Sequence, residues 1–506
     1  MSTPLSSSSA RRITIVGGGF SGVSAAVQLV HHTPFPLDIT LIESRERVGP
    51  GLAYSTRDPD HRLNGPAWAH SVDPTDGAHF ARWCEAHGVF ERDPQALQDN
   101  GAAFVRRFEF GRYLEETLNK HAVWPKTGST IETVRDRATG ATDTGNGIAV
   151  LTEAGHAIVS DLVLVATGNA VPRLQAPLPA TLAQLPSVIE NPLDTWRLAN
   201  IPKTARVLII GSGLTSLDVL STLRRQQYAG DIVVISRRGM RPHAQPTSTG
   251  PAETPSGRQQ LDRLLSDPPA FITQAPPTVR AWLKALRTHI RADQAQGLSW
   301  HSAFDELRDS VWQLWPTLPA TQQRRFLRKL RTWYDVHRFR SPPQNEAIVN
   351  QALADGQVVH RAARLLSLTP ESGSAALSAR YRLVPSGDER VEPFDVVVNC
   401  TGLDVAARTA ANPFLHALVQ QGWLQHDACN IGYAVDSQCR AVGTDGTVRP
   451  ALRLIGPPTL GTFGDPAGAA FIAAQIHRML PDVFRTLQRP GAAVHKPMVE
   501  PELDEV

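Results

Sequence analysis

The chain has 506 residues, of which 42% are hydrophobic and 20% are charged, and its formal net charge is +3 at pH 7. This is the composition of an ordinary globular protein, and the length allows several domains. Lysine and arginine form no dense stripe, which argues against a nucleic-acid partner, and no apolar run reaches the length that crosses a bilayer.

The four cysteines show no C-x-x-C pair and no metal-ligand spacing. We therefore predict reduced thiols, no metal site and a cytoplasmic protein. Residues 1–12 are rich in serine and contain no apolar segment like that of a signal peptide, so they predict a short disordered tail.

The first motif is a glycine pattern that follows a β-branched apolar run at residues 13–16. Gly17, Gly19 and Gly22 form G-x-G-x-x-G between this predicted strand and a predicted helix. The first glycine of such a pattern allows a tight turn, the second the close approach of a diphosphate, and the third the packing of helix on strand. Glu43 ends the next predicted strand, 21 positions after Gly22, where an acidic side chain binds the ribose hydroxyls of an adenine dinucleotide. A glycine-rich turn of another α/β protein is the alternative.

The segment that follows the second predicted strand is rich in glycine and proline and contains Gly51 and Asn64. Its position predicts backbone wrapped around an extended ligand, with an ordinary surface turn as the alternative. A fully apolar strand later runs from Asp161 into Thr167 and Gly168. This is typical of a buried parallel strand that ends at a ligand crevice.

The same fingerprint recurs at Gly211, Gly213 and Ser216, after another apolar strand. The next predicted strand ends before Arg237 and Arg238, and Arg237 lies 21 positions after Ser216, the same offset as the acidic residue of the first copy. An arginine at this point pairs with a 2′-phosphate, which favours NADPH over NADH. A solvated surface charge is the alternative for Arg237.

The strand ending in Thr-Gly also recurs, because residues 395–402 match residues 161–168 in length, opening aspartate and closing Thr-Gly. We therefore predict an α/β fold with two Rossmann-like dinucleotide-binding domains, the second inserted into the first. The predicted boundaries are 13–200 and 390–506 for the FAD-binding domain and 201–389 for the NAD(P)H-binding domain.

A long stretch of the second domain exceeds what dinucleotide binding needs. Amphipathic patterns rich in leucine, tryptophan and arginine predict a helical insertion at about 256–340. Trp312, Trp315 and Trp333 are predicted to pack the core of this insertion, and stacking on a ligand is the alternative.

Two fingerprints, two Thr-Gly strand ends and a late glycine-ended strand before a helix resemble the flavoproteins with two dinucleotide-binding domains. Gly-Pro-Gly-Leu-Ala-Tyr-Ser at 49–55, His-x-Leu-Asn-x-Pro at 61–66 and Trp-Tyr-Asp-Val-His-Arg at 333–338 are similar to a bacterial FAD/NAD(P)-binding family that includes an FAD-dependent urate hydroxylase. The resemblance implies FAD on the first fingerprint and NAD(P)H on the second. The family glycine at the flavin ribityl chain corresponds to Gly456, and Asp465 is the candidate for the acid that accompanies it.

The resemblance also implies a reaction. NAD(P)H would reduce FAD, and a small heteroaromatic substrate, with urate as the family example, would be hydroxylated by O₂ through a C4a-(hydro)peroxyflavin. His337 has the intrinsic pKa of a base and Arg338 the charge to anchor an anionic substrate, so both are candidate catalytic residues, with structural roles as the alternative. A flavin oxidoreductase without oxygen insertion and a regulatory FAD/NAD(P)-binding protein are the other functions that the sequence allows. Residues 170–204 contain no histidine, so the motif of Baeyer–Villiger and flavin-containing monooxygenases is not matched.

Overall fold

A computed structural model describes residues 10–174, 178–246, 257–373, 376–402 and 408–488. Two mixed sheets, each with a parallel centre, alternate with helices along the chain and confirm the predicted α/β fold. Residues 1–9 of the predicted tail lie outside the described part of the chain. No helix within these ranges is long and apolar enough to cross a membrane.

The first sheet is centred on the strand of the first fingerprint, Arg11–Val16. This strand pairs in parallel with Leu37–Glu43 on one side and Leu162–Val165 on the other. Its apolar residues are buried, as in parallel strands covered on both faces. The strands of this sheet, in spatial order, are Arg440–Val442, Val448–Leu454, Leu162–Val165, Arg11–Val16, Leu37–Glu43, Ser129–Arg135 and Val123–Trp124.

The second sheet repeats this arrangement around Val207–Ile210, the strand of the second fingerprint. It lies between Ile232–Ser236 and Val396–Asn399, both parallel to it. The strands of this sheet, in spatial order, are Glu389–Phe394, Leu377–Leu383, Val358–Pro370, Ile232–Ser236, Val207–Ile210, Val396–Asn399 and Val188–Ile189.

This pairing corrects the predicted domain boundaries. Val188–Ile189 and Val396–Asn399 were assigned to the first domain from sequence, yet both belong to the second sheet. The reason is that the second Thr-Gly strand pairs with the strand of the second fingerprint and does not join the sheet of the first domain. A small antiparallel sheet of Ala138–Asp143, Ile148–Thr152 and Ala157–Ser160 attaches to the first domain.

The helices cover the sheet faces and form the insertion. Those of the two domains are Phe20–His32, His79–Ala86, Val89–Arg92, Arg107–Lys120, Thr195–Ala199, Leu214–Arg225, Pro343–Ala354, Arg408–Ala411, Pro413–Gln420, Leu460–Phe463 and Ala469–Gln488. Those of the insertion are Gly257–Leu265, Ala270–Thr273, Val279–Ala295, Trp300–Asp309, Val311–Leu314, Ala320–Lys329 and Arg331–Arg338.

The insertion packs onto the segment that leads into the last helix. The indole N–H of Trp315 donates to the Gly461 carbonyl at 2.7 Å, and Trp312 packs against the core of the first domain. Trp333 is 48% exposed, so its predicted place in the core of the insertion is wrong. The insertion therefore covers the carboxyl-end side of the first sheet.

Candidate functional site

The predicted site residues of the first domain gather at one edge of its sheet. Val16 lies in register with Val165, and Val165 with Leu454, in three adjacent parallel strands. Gly17, Thr167, Gly168 and Gly456 follow the ends of these strands and therefore lie around the same crevice. Ligands of open α/β sheets bind at the carboxyl ends of the strands.

Gly17 makes the turn out of the central strand. Its φ is +108°, and a Cβ there would lie 2.6 Å from the Ala166 carbonyl oxygen, so no other residue fits. Its N–H donates to the Ile42 carbonyl at 2.9 Å, which ties the turn to the neighbouring strand.

Gly19 is the N-cap of the helix Phe20–His32, and Gly51 lies close to it. A Cβ on Gly51, whose φ is +52°, would lie 3.0 Å from the Gly19 Cα. A Cβ on Gly22 would collide with the Gly17 carbonyl, which explains the third glycine. Gly19 has no side-chain cap, so the N–H groups of the first helical turn are available to an anion.

Glu43 ends the strand beside the fingerprint and faces it. One carboxylate oxygen accepts from the Gly18 N–H at 2.8 Å and the other from the Arg45 N–H at 2.9 Å. These contacts hold the carboxylate beside the diphosphate-binding turn, the position at which a ribose is bound in dinucleotide sites.

The hydroxyl group of Thr167 is suited to a hydrogen bond with a bound ligand. Its hydroxyl is buried and has no hydrogen-bond partner among the described residues. Gly168 next to it has a φ of +68°, and a Cβ there would meet open space. A buried polar group without a partner is costly, so a bound group that offers one fits this position. Together with the uncapped helix and the glycine cradle, the crevice fits FAD.

Gly456 closes the crevice from the opposite side. Its φ is +71°, and a Cβ would lie 2.8 Å from the Ser21 Oγ at the start of the first helix. The Gly456 N–H donates to Oε1 of Gln475 at 2.8 Å, and Gln475 also donates to Thr459. Sequence reasoning missed Gln475, because a lone glutamine in an amphipathic helix carries no signal of its partner.

The second fingerprint reproduces the geometry of the first. Gly211 has a φ of +105°, donates to the Ile235 carbonyl at 2.8 Å, and faces the carbonyl of Cys400 where Gly17 faces that of Ala166. Gly213 caps its helix with φ −80° and ψ −170°, against −79° and −166° for Gly19. A Cβ on Gly213 would meet nothing within 4 Å, so the second diphosphate site is open.

The third position of this fingerprint is Ser216, which is buried and donates its hydroxyl to the Gly213 carbonyl at 2.8 Å. Arg237 and Arg238 are exposed at the carboxyl end of their strand. Arg238 donates to the Lys329 carbonyl at 3.1 Å, whereas no carboxylate of the described ranges pairs with Arg237. The structure thus leaves Arg237 free for an anion beside the second fingerprint.

Arg338 and Asp465 are brought together although 127 positions separate them. The Arg338 Nε donates to Asp465 Oδ2 at 2.8 Å and its Nη2 to the Ala467 carbonyl at 2.7 Å. Tyr334 donates to the same carboxylate at 2.8 Å, and burial raises the pKa of Tyr334 well above its ordinary value. The other Asp465 oxygen is buried without a partner among the described residues. A charged cluster therefore holds the loop that precedes the last helix.

His337 does not join this cluster, since neighbours in a helix point in different directions. Its Nδ1 donates to the Trp333 carbonyl at 2.7 Å, and its ring lies 4.3 Å from that of His243 and 4.8 Å from that of Trp300. Burial lowers the pKa of His337, and the charge of Arg340 adds to the effect. The ring is thus neutral near pH 7, with Nε2 unprotonated, and its assignment as a base stays a prediction.

The segment at 61–66 lies where the two domains meet. The Asn64 carbonyl accepts from Gln245 at 2.7 Å, and His61 is within 3.2 Å of the Thr222 hydroxyl. Burial lowers the pKa of His61. Sequence reasoning placed this segment around a ligand and missed its contact with the second domain, because the partners are 161 and 181 positions away.

A family model described as FAD-NAD(P)-binding matches residues 14–170. This range contains the first fingerprint and the Thr-Gly strand end, so the match confirms the predicted dinucleotide-binding domain. No curated protein matches the chain.

Solved structures share the fold over nearly the whole chain. The ornithine N-hydroxylase of Kutzneria sp. 744, solved with reduced FAD, NADP⁺ and L-ornithine, has a TM-score of 0.62 at 15% identity and covers 95% of this chain and 99% of its own. The FAD-bound cadaverine monooxygenase of Erwinia amylovora has a TM-score of 0.59 at 12% identity, with 98% and 99% covered. The reduced ornithine hydroxylase of Pseudomonas aeruginosa has a TM-score of 0.58 at 14% identity, with 95% and 100% covered. At these identities the likeness shows the fold alone.

Proposed function

We propose that the chain is an FAD-dependent monooxygenase that uses NADPH. The observation that carries the proposal is the duplicated crevice: two fingerprints of the same geometry lie at the carboxyl ends of the parallel central strands of two sheets in one chain. The three solved structures described above are of hydroxylases or monooxygenases, and one was solved with both FAD and NADP⁺. A regulatory binding protein without turnover remains the alternative.

In this proposal the first crevice holds FAD. The N–H groups after Gly19 bind the diphosphate, Glu43 the adenosine ribose, and Thr167 and Gly456 flank the flavin end. FAD, when bound, supplies the transfer of electrons from NADPH to O₂ and of one oxygen atom to the substrate. The chain's own part is to position the substrate and to exclude water, which the helical insertion does by covering this side of the sheet.

The candidate catalytic residues take different parts. His337 is neutral and offers Nε2 as a proton acceptor for a substrate that must be deprotonated. The Nε and Nη2 groups of Arg338 donate to Asp465 and to the Ala467 carbonyl. Its contacts favour positioning of the Asp465 loop over the substrate-anchoring role expected from sequence.

In the second crevice we propose that Arg237 recognises the 2′-phosphate of NADPH. Arg237→Ala is expected to raise the KM for NADPH about tenfold and to leave the KM for NADH unchanged, since an exposed charge-assisted hydrogen bond contributes about 1.4 kcal/mol. Arg390→Ala, which removes an exposed arginine at the far edge of the same sheet, is the control. An unchanged ratio of the two KM values in Arg237→Ala would contradict this assignment.

For the substrate we propose a small heteroaromatic compound, with urate first. The second candidate is a primary amine, which the solved structures favour because their enzymes are named for ornithine and cadaverine. The two classes differ in the group that accepts oxygen, a ring carbon in one and an amine nitrogen in the other.

The experiment follows NADPH oxidation, oxygen uptake and peroxide release by the purified FAD-loaded chain. Urate, related heteroaromatics, ornithine, lysine and cadaverine form the panel. A substrate should accelerate NADPH oxidation and consume oxygen without matching peroxide release. Acceleration by an amine and not by a heteroaromatic would replace the first substrate candidate by the second. No acceleration and no reduction of the bound FAD would favour the regulatory alternative.

A further inference from the structure

A cluster of imidazoles and one carboxylate lies away from the first dinucleotide crevice. It is formed by His32, Asp73 and His477, whose ligand atoms all lie within 4.8 Å of one another. His32 ends the helix Phe20–His32, about 20 Å from the fingerprint end of that helix at 1.5 Å per residue. The cluster therefore takes no part in binding the FAD diphosphate.

The carboxylate of Asp73 is fixed so that one oxygen faces the histidines. Its Oδ1 accepts from the Thr75 N–H at 3.0 Å and from the Thr75 hydroxyl at 2.7 Å. Its Oδ2 lies 2.9 Å from His32 Nε2 and 3.1 Å from His31 Nδ1. The Asp73 side chain is only 6% exposed. The buried Oδ2 of Asp73 thus lies within hydrogen-bond distance of two imidazole nitrogens.

His477 completes the cluster from the last helix. Its ring centroid lies 5.5 Å from that of His32, and its Nδ1 is buried without a hydrogen-bond partner among the described residues. A buried ring nitrogen without a partner is costly, so a bound ion that offers one fits this position.

We propose that His32, Asp73 and His477 form a site for Zn²⁺ that ties the two separated segments of the first domain together. Two imidazoles and one carboxylate are a ligand set that Zn²⁺ accepts, with water as the fourth ligand. Ligands at about 2.0–2.1 Å in a tetrahedron lie about 3.3 Å apart, so the pair at 2.9 Å needs to open by a few tenths of an ångström.

Supporting contacts surround these three ligands. The Nδ1 of His31 is hydrogen-bonded to Asp73 Oδ2. The Nε2 of His31, on the other side of the ring, lies 2.7 Å from His121 Nε2. Hydrogen-bonded partners behind the ligands orient them in protein metal sites. The spacing of the cysteines predicts no metal site, and the three proposed ligands leave no local motif because they come from segments more than 40 positions apart.

The test is zinc binding by the tag-free, FAD-loaded chain. Metal content after dialysis against Zn²⁺ is measured by mass spectrometry, and affinity by competition with a chromophoric chelator. The wild type should bind one Zn²⁺ per chain, and added Zn²⁺ should raise its melting temperature. His477→Gln and His32→Gln should each weaken binding more than about 100-fold, beyond the 10–100-fold that loss of an outer partner costs, and His31→Gln should fall within that range.

His416→Gln is the matched control, because His416 is exposed on the helix Pro413–Gln420. It should leave zinc binding unchanged. Retained FAD in each variant reports that the fold is intact. A wild-type chain that binds no stoichiometric Zn²⁺ would overturn the proposal whatever the variants do. A loss smaller than about tenfold in both His477→Gln and His32→Gln, with FAD retained, would overturn it as well.

Discussion

Replacing Gly19 by valine is expected to weaken FAD binding strongly and to leave the fold intact. The φ of −79° and ψ of −166° at Gly19 are open to any residue, and a Cβ would lie 3.5 Å from the Gly51 Cα, an ordinary contact. The valine methyl groups would occupy the place where the diphosphate approaches the helix. Loss of two charge-assisted hydrogen bonds costs about 3 kcal/mol or more, so the Kd for FAD should rise at least about 100-fold.

The second fingerprint supplies the matched control. Gly213 has the same backbone angles, and a Cβ there meets open space, so Gly213→Val should fold and retain FAD. It should weaken NADPH binding instead. FAD content after gel filtration and NADPH titration measure the two effects. Normal FAD content in Gly19→Val, or loss of FAD in Gly213→Val, would contradict the assignment of the two crevices.

Replacing Arg338 by methionine is expected to lower the free energy of unfolding by about 3–5 kcal/mol, the cost of breaking a buried ion pair from one side. The side chains of Arg338 and Asp465 are 8% and 2% exposed, so water cannot replace the lost partner. Asp465 would keep only the Tyr334 hydroxyl, while its second oxygen already has no partner among the described residues.

Urea unfolding followed by tryptophan fluorescence measures this loss. The double variant Arg338→Met/Asp465→Leu should recover much of it, because the uncompensated charge is removed. Arg237→Ala, which removes an exposed arginine, should change the unfolding free energy little. A change below about 1 kcal/mol in Arg338→Met would show that the pair does not hold the Asp465 loop.

The parts of the site that sequence predicts are those set by short-range backbone geometry. Gly17, Gly22 and Gly211 are needed because a side chain there would meet a carbonyl of the neighbouring strand or turn. Such a requirement appears as glycine at fixed spacing after an apolar strand. The Thr-Gly strand end recurs for the same reason. Each copy brings the end of a parallel strand to the corresponding point of its own crevice.

The parts that sequence does not predict depend on contacts between distant segments. The pairing of Arg338 with Asp465 spans 127 positions and leaves no local pattern. His337 and Arg338 are both predicted as catalytic residues, from pKa and from charge, yet the helix turns their side chains apart. The second domain extends beyond its predicted bounds, from Val188 to Asn399. The reason is that strand pairing, and not strand composition, decides which sheet an apolar strand joins.

The most direct test of the central claim is reduction of the bound flavin by NADPH without oxygen. The FAD-loaded chain is mixed anaerobically with NADPH, and the absorbance of oxidised flavin is followed. We expect the flavin to be bleached by NADPH, and more slowly at the same concentration in Gly213→Val. Flavin that stays oxidised under excess NADPH, in a chain that holds FAD stoichiometrically, would contradict the account of two cooperating dinucleotide crevices.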